Sequence, residues 1–346
     1  MAPVIALDAM GGDRAPAVVV EGARLALRQR PDLRFLLFGD EERLRPLLRA
    51  AERPEAFDLR HTEVAIPNDA KPSTALRQGR NSSMRLAVEA VRRGEAEAAV
   101  SAGNTGALMA MAKFVLRTLP GIDRPAIVTI LPSRRDPFVM LDLGANVDCS
   151  AEHLLQFAVM GEAYARAVLG KDKPRVALLN IGTEEIKGES VVRQAANLIR
   201  ERLPQLAYAG FVEGDEVMSG QVDVVVTDGF TGNVALKIAE GASRLYASRL
   251  REAFRSSLRA RLGYLLARPA LERVRRRLDP RRHNGAMFVG LGGVVVKSHG
   301  GTDALGFSAA VMAAVRLVES ATNARIIDEM QRLGQSSRPQ ARMAAS

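Results

Sequence analysis

Five loops rich in glycine and asparagine, each directly after a short apolar run, constrain this chain more than any other feature. They read Asp8-Ala-Met-Gly-Gly-Asp13, Ser101-Ala-Gly-Asn-Thr-Gly106, Asp142-Leu-Gly-Ala-Asn146, Asn180-Ile-Gly-Thr-Glu184 and Thr227-Asp-Gly-Phe-Thr-Gly-Asn233. A strand that ends in glycine and opens a helix exposes unpaired backbone N–H groups at the positive end of a helix dipole. Such an end suits a phosphate or an oxyanion. One loop of this kind is ordinary turn chemistry in an α/β protein. Five, with Asp, Asn and Thr packed beside the glycines, point to a bound anion.

The stretches between the loops alternate in period. Strands are predicted at Val4–Leu7, Arg34–Phe38, Ala98–Ser101, Ala126–Leu131, Phe138–Leu143, Arg175–Asn180, Ala207–Val212 and Val222–Thr227. Helices are predicted at Ala15–Gln29, Glu41–Ala51, Ser82–Arg93, Gly106–Leu116, Glu152–Val168, Ser190–Arg202 and Asn233–Arg259. A last strand pair, Met287–Leu291 and Val294–Lys297, precedes a long helix predicted over Asp303–Leu333. This alternation predicts a mainly parallel sheet covered on both faces, with ligands at the carboxyl ends of its strands. The expected organisation is one α/β domain over residues 1–333 and a small, polar, disordered tail over 334–346.

With 346 residues, 47% of them hydrophobic, the chain can bury a large core. No apolar run reaches the roughly 20 residues that span a bilayer, and the N-terminus lacks a basic leader, so no signal peptide is expected. A single cysteine, Cys149, expected as a small buried apolar residue, excludes an internal disulfide, and four scattered histidines argue against a zinc site. These features suggest a reducing cytoplasm, and no metal or organic cofactor is expected. The Rossmann GxGxxG, the P-loop GxxxxGK[ST] and the serine-hydrolase GxSxG are all absent.

The blocks along the chain resemble one family, the acyl-[acyl-carrier-protein]:phosphate acyltransferases of bacterial phospholipid synthesis. The resemblance rests on Ile5–Asp13, Lys71-Pro-Ser73, Asn81-Ser-Ser-Met84, Ser101–Leu108, Leu143–Asn146, Asn180–Glu185 with Lys187-Gly188, Glu213-Gly-Asp215, Thr227–Asn233, Asn284-Gly-Ala286 and Gly292–Gly301. His283 stands where that family usually has an aromatic residue, and the tail after Gly334 is unlike it. The resemblance implies transfer of a fatty acyl group from acyl carrier protein to inorganic phosphate. It also implies an α/β sandwich similar to phosphotransacetylase and the isopropylmalate dehydrogenase group, and a homodimer.

Phosphate is already an anion at neutral pH and a thiolate leaves readily, so this chemistry needs no covalent nucleophile. It needs a site that holds phosphate against the thioester and stabilises the oxyanion. Phosphate is assigned to the loop of Ser101, Gly103, Asn104, Thr105 and Gly106. Lys187, on the polar segment after Gly182 and Thr183, is expected to be the cation facing it. Asp8, Gly11, Gly12, Asp13, Asn146, Asn180, Asp228, Gly229 and Asn233 are candidates for orienting or binding substrate, although Asp beside glycine is often a helix cap or an Asx turn. Lys297 and His299, after the late strand, are candidates for binding and for proton transfer to the thiolate.

The net charge of +10 is concentrated. Twelve arginines lie between Arg249 and Arg282 against Glu252, Glu272 and Asp279, a local charge of +9. Leu258, Leu262, Leu265 and Leu266 share a helical face, and Leu271, Val274 and Leu278 repeat the pattern after Pro269, with Arg255, Arg259, Arg273 and Arg276 on the other faces. A basic amphipathic hairpin over 249–282 is therefore expected to meet the acidic carrier protein, an anionic membrane on the inner face of the cell, or a second copy of the chain. The resemblance further implies transient contact with the membrane-bound glycerol-3-phosphate acyltransferase. With no tryptophan and two aromatics in the stretch, nucleic acid is not expected. Two rival readings are a short-chain phosphotransacetylase using acyl-coenzyme A and a non-catalytic lipid- or nucleic-acid-binding regulator.

Overall fold

The computed structural model describes residues 2–336, except 280, 282 and 283, and gives no side-chain account of 276–278 and 334–336. One continuous sheet of eleven strands runs through the described residues. Its strands are β1 (Val4–Asp8), β2 (Arg34–Gly39), β3 (Phe57–His61), β4 (Ala98–Ser101), β5 (Ala126–Leu131), β6 (Phe138–Leu141), β7 (Val176–Leu179), β8 (Tyr208–Val212), β9 (Val224–Val226), β10 (Ala286–Val289) and β11 (Val294–Lys297). Their spatial order is β3-β2-β1-β4-β11-β10-β5-β6-β9-β7-β8.

Successive residues of each strand face opposite sides, as the pleat requires. Ile5 and Leu7 pack into one apolar layer and Ala6 into the other, and Val294 and Val296 oppose Val295 in the same way. The first layer is closed by α1 (Ala17–Gln29), α6 (Ala151–Leu169), α7 (Ser190–Arg202), α10 (Ala304–Glu319) and α11 (Thr322–Ser336). The second is closed by α3 (Pro72–Gln78), α4 (Ser83–Arg92) and α5 (Thr105–Leu116). A three-layer α/β sandwich results, as the sequence predicts.

Strand direction reverses across the sheet. The strands β3, β2, β1, β4 and β11 pair in parallel, then β10 pairs antiparallel with both β11 and β5, and β6 antiparallel with β5. From β6 onward β9, β7 and β8 are parallel again. The two parallel blocks therefore have opposite sense in the pairing order, and the twist accumulated over the strands between them turns one block relative to the other.

Other departures are local. Strand β3 and helix α3 were not predicted. The expected terminal helix is broken at Ser320–Ala321, where Ala321 has φ +50°, and it continues to Ser336, past the start of the expected tail. The rest of that tail, Arg282 and His283 lie outside the described residues. The basic segment forms α8 (Gly229–Arg255) and α9 (Leu258–Leu278). The break falls at Ser256–Ser257, where the Ser257 hydroxyl accepts from the Ala260 amide at 3.1 Å, rather than at Pro269, which stays inside α9. Phe254 and Tyr264 then meet edge to face, 5.3 Å between ring centres, and hold the turn.

Candidate functional site

The loops after β1, β4 and β11 converge at one end of the sheet. Asp8 closes β1 and is buried. One of its oxygens accepts from the Ser83 hydroxyl at 2.6 Å, the other from the Ser101 hydroxyl at 2.7 Å. Ser101 in turn accepts from the Gly103 amide at 3.0 Å. Burial pushes the Asp8 carboxyl above its usual range, against the pull of Ser101, Ser83 and the Met10 and Gly11 amides. A Cβ on Gly11 would lie 2.4 Å from the Asp8 carboxylate and 2.8 Å from the Gly103 nitrogen, so only glycine lets the two loops approach this closely. The Asp13 amide donates to the Gly300 carbonyl at 3.0 Å, and the Ser298 amide to the Ser101 carbonyl at 2.8 Å, which ties in the third loop.

Asn104 caps α5. Its side-chain oxygen accepts from the Ala107 amide at 2.8 Å, and its amide group donates to the carbonyls of Asn68 at 2.6 Å and Ala70 at 3.2 Å. The side chain is thus a scaffold, and the anion donors that remain are the first-turn backbone amides of Thr105 and Gly106, which have no partner within the helix. Thr105 is exposed at this mouth. Asn68 also donates to Asp13 at 2.8 Å. His299 is exposed, and its Nδ1 accepts from the Gly301 amide at 3.2 Å. Asn284 positions this loop by accepting from the His299 amide at 3.1 Å and donating to the Ser298 hydroxyl at 2.8 Å.

Half-buried Lys297 closes the group. It pairs with Ser101 across β4 and β11, and its Nζ donates to the Ala102 carbonyl at 3.4 Å and to the Ser298 carbonyl. Burial lowers its pKa to about 8, with Asp8 and Asp13 pulling the other way.

The loops after β6, β7 and β9 form a second group, at the carboxyl ends of neighbouring parallel strands. Buried Asp142 accepts from the backbone amides of Ile127, Gly144, Ala145 and Asn146 and from the Asn146 side chain, at 2.7–3.2 Å. Asn146 also donates to the Pro125 carbonyl at 2.8 Å, so its side chain is directed inward. Asp228 caps α8 by accepting from the Thr231 amide at 2.8 Å, and the Gly229 amide donates to the Asn146 carbonyl at 2.7 Å. A Cβ on Gly232 would sit 1.9 Å from the Asp142 carbonyl oxygen. Asn233 is exposed. Asn180 donates to the carbonyls of Gly182 and Lys187, both at 3.1 Å, and shapes the loop that carries Thr183. Half-buried Cys149, which is not the fully buried residue expected, has its thiol pushed up to about 11 by burial.

Lys187 lies in this second group. It is exposed and paired with Glu184 at 2.7 Å. The residue expected to face an anion at the Ser101 loop thus rests on the Glu184 carboxylate. Local pattern identified the loops but carries no record of strand direction. Asn68 and Ser83 were given no role from sequence; Ser83 lay inside the Asn81–Met84 block, which was the available signal.

The chain is a doubly covered α/β sheet whose loops set a capped helix N-terminus beside a half-buried lysine, an arrangement whose positive charge suits an anion. Comparison with known proteins narrows the class. Residues 4–325 match the family model described as fatty acid synthesis protein. The chain is 58% identical to the phosphate acyltransferase of Rhodospirillum rubrum, over 94% of each chain, and 57% identical to that of Paramagnetospirillum magneticum, over 96% of this chain and 95% of the relative. It belongs to the phosphate acyltransferase family and is an acyltransferase. Its fold is similar to a phosphotransacetylase from Streptococcus pyogenes, with TM-score 0.63 and 20% identity over 92% of this chain and 94% of that one. A 4-hydroxythreonine-4-phosphate dehydrogenase from Salmonella typhimurium is also similar, at TM-score 0.53 and 15% identity over 92% and 99% of the two chains.

Proposed function

We propose that the protein transfers a fatty acyl group from acyl carrier protein to inorganic phosphate, giving acyl phosphate for phospholipid synthesis. The observation that carries this reading is the first loop group, where the open amides of α5 meet a half-buried lysine. A phosphate oxygen attacks the thioester carbonyl carbon, the carbon–sulfur bond breaks, and the electron pair leaves with sulfur. Backbone amides suit both the phosphate and the oxyanion, because they are fixed before the charge develops.

The donor is read from the α8–α9 pair. On α8 only Gly229 and Gly232 are buried, and Leu245, Tyr246 and Leu250 are exposed. On α9, Leu258, Leu262, Leu265, Leu266 and Val274 are exposed among arginines. A small acyl-coenzyme A would have no use for this basic apolar surface, whereas an acidic carrier protein, an anionic bilayer or a second copy would. We assign the arginines to the carrier and the leucines to transient membrane contact near the membrane-bound acyltransferase that consumes the product. The chain is read as a homodimer. No single helix among the described residues is long and apolar enough to cross a bilayer.

Incubation with long-chain acyl carrier protein and labelled phosphate tests the reaction. Release of carrier thiol that depends on phosphate, together with labelled acyl phosphate, is expected. Equal or better turnover of acetyl-coenzyme A would favour a short-chain phosphotransacetylase.

A further inference from the structure

We propose that Lys297 is a catalytic residue, whose ammonium holds the attacking phosphate at the first turn of α5 and then faces the oxyanion formed on the thioester carbonyl. The inference rests on the reaction proposed above and names the cation that reaction needs.

Position carries the argument. Lys297 ends β11, which lies beside β4, and its register partner is Ser101, the residue that opens the α5 loop. Its Nζ reaches the Ala102 carbonyl inside that loop, one turn of chain from the open amides of Thr105 and Gly106. Among the described residues no carboxylate lies within ion-pair distance of that Nζ. Asp8 and Asp13 act on it only through space. An ammonium half-withdrawn from water without a paired carboxylate is costly, and a methionine would fill the same space without that cost. The arrangement makes sense where an anionic substrate supplies the missing counter-charge.

Other cations near this mouth are less suited. Arg14 and Lys71 are exposed, and Lys187 is exposed and paired with Glu184. Lys297 is fixed by its strand and needs no rearrangement to meet an anion. It stays protonated throughout the step, and the thiolate takes its proton from water. At neutral pH the ammonium form still prevails, and it is lost as pH rises past about 8.

The test uses the full-length protein with acyl carrier protein thioester and labelled phosphate. Lys297→Met should lower kcat/KM for phosphate by ~100-fold or more, the scale of one preorganised electrostatic group. Lys297→Arg keeps the charge and should recover part of that loss. Wild-type activity should fall above about pH 8, whereas the arginine variant should hold its activity there. Wild-type phosphate KM and turnover in the methionine variant would overturn the proposal, as would the same alkaline fall in the arginine variant. Phosphate titrations followed by phosphorus-31 NMR separate the two readings. If the wild type makes no acyl phosphate yet binds phosphate and Lys297→Met does not, the reaction is wrong and the cation is right. If both proteins bind phosphate equally, the assignment of Lys297 falls.

Discussion

Burial draws the Lys297 pKa from its ordinary 10.5 to about 8, so this residue opposes folding while it equips the site. Between those two values the unfolded chain holds the proton that the folded chain has lost, and for this group stability rises with pH through that window. Below about 8 both states are charged and the cost is paid in full. Lys297→Met is therefore expected to melt several degrees above the wild type at pH 7 and to lose the stability gain between pH 8 and 10. A melting temperature at or below the wild type would show that the lysine has partners that offset its burial. Burial shifts Asp142 too, raising its pKa, but here the charge is engaged by hydrogen bonds that hold a loop. Its carboxylate satisfies four backbone amides and one side-chain amide in a buried loop. Asp142→Ala strands those donors and should destabilise the protein by about 3 kcal/mol or more. A urea midpoint unchanged from the wild type would contradict this. The first group was half legible in sequence for a plain reason. Asp8, Ser101 and Gly103 stand in recognisable loops, but that Asn104 and Asn180 turn their side chains onto backbone carbonyls depends on chains folded beside them.

At the scale of elements, the exposed face of α8 and α9 divides by chemistry. Replacing Arg255, Arg259 and Arg273 together by glutamine removes charge from this exposed surface and leaves the α5 loop unchanged in sequence. KM for acyl carrier protein should rise ~10-fold and its salt dependence should flatten, with kcat at saturation little changed. An unchanged KM at low ionic strength would reject carrier docking here. Leu262→Glu with Leu266→Glu places charge on the exposed apolar side. Vesicles of anionic lipid should then no longer retain the enzyme, whereas loss of the dimer in a sizing experiment would assign those leucines to the subunit interface. Most elements could be read directly from sequence, because β-branched runs stop at glycine and helices such as α7 carry a clean 3.6-residue period. Strand β3 escaped because its residues, Phe-Asp-Leu-Arg-His, alternate with charge at the edge of the sheet. Helix α3 escaped because seven residues opening on Pro72 leave little period to detect. The turn at Ser256–Ser257 was hidden by arginines that continue unbroken across it.

At the scale of the molecule, what sequence could not convey was order and direction. Local alternation foretells parallel strands, yet nothing in residues 286–297 announces that β10 and β11 lie in the middle of the sheet, between β4 and β5. That placement divides the glycine loops into two groups, and it has a consequence for how the protein is made. A ribosome releases β4 and β5 long before the hairpin that joins them. At about 5–20 residues per second, the roughly 160 residues separating β5 from β11 take on the order of 10–30 s to emerge. Throughout that interval the nascent chain carries two apolar strand margins without neighbours, and α1 lacks α10, against which it packs in the finished protein. Such a chain is expected to depend on chaperones during synthesis and to remain protease-sensitive until its last quarter appears. Pulse proteolysis of chains arrested before and after residue 297 would show protection of β1–β4 arriving late and all at once.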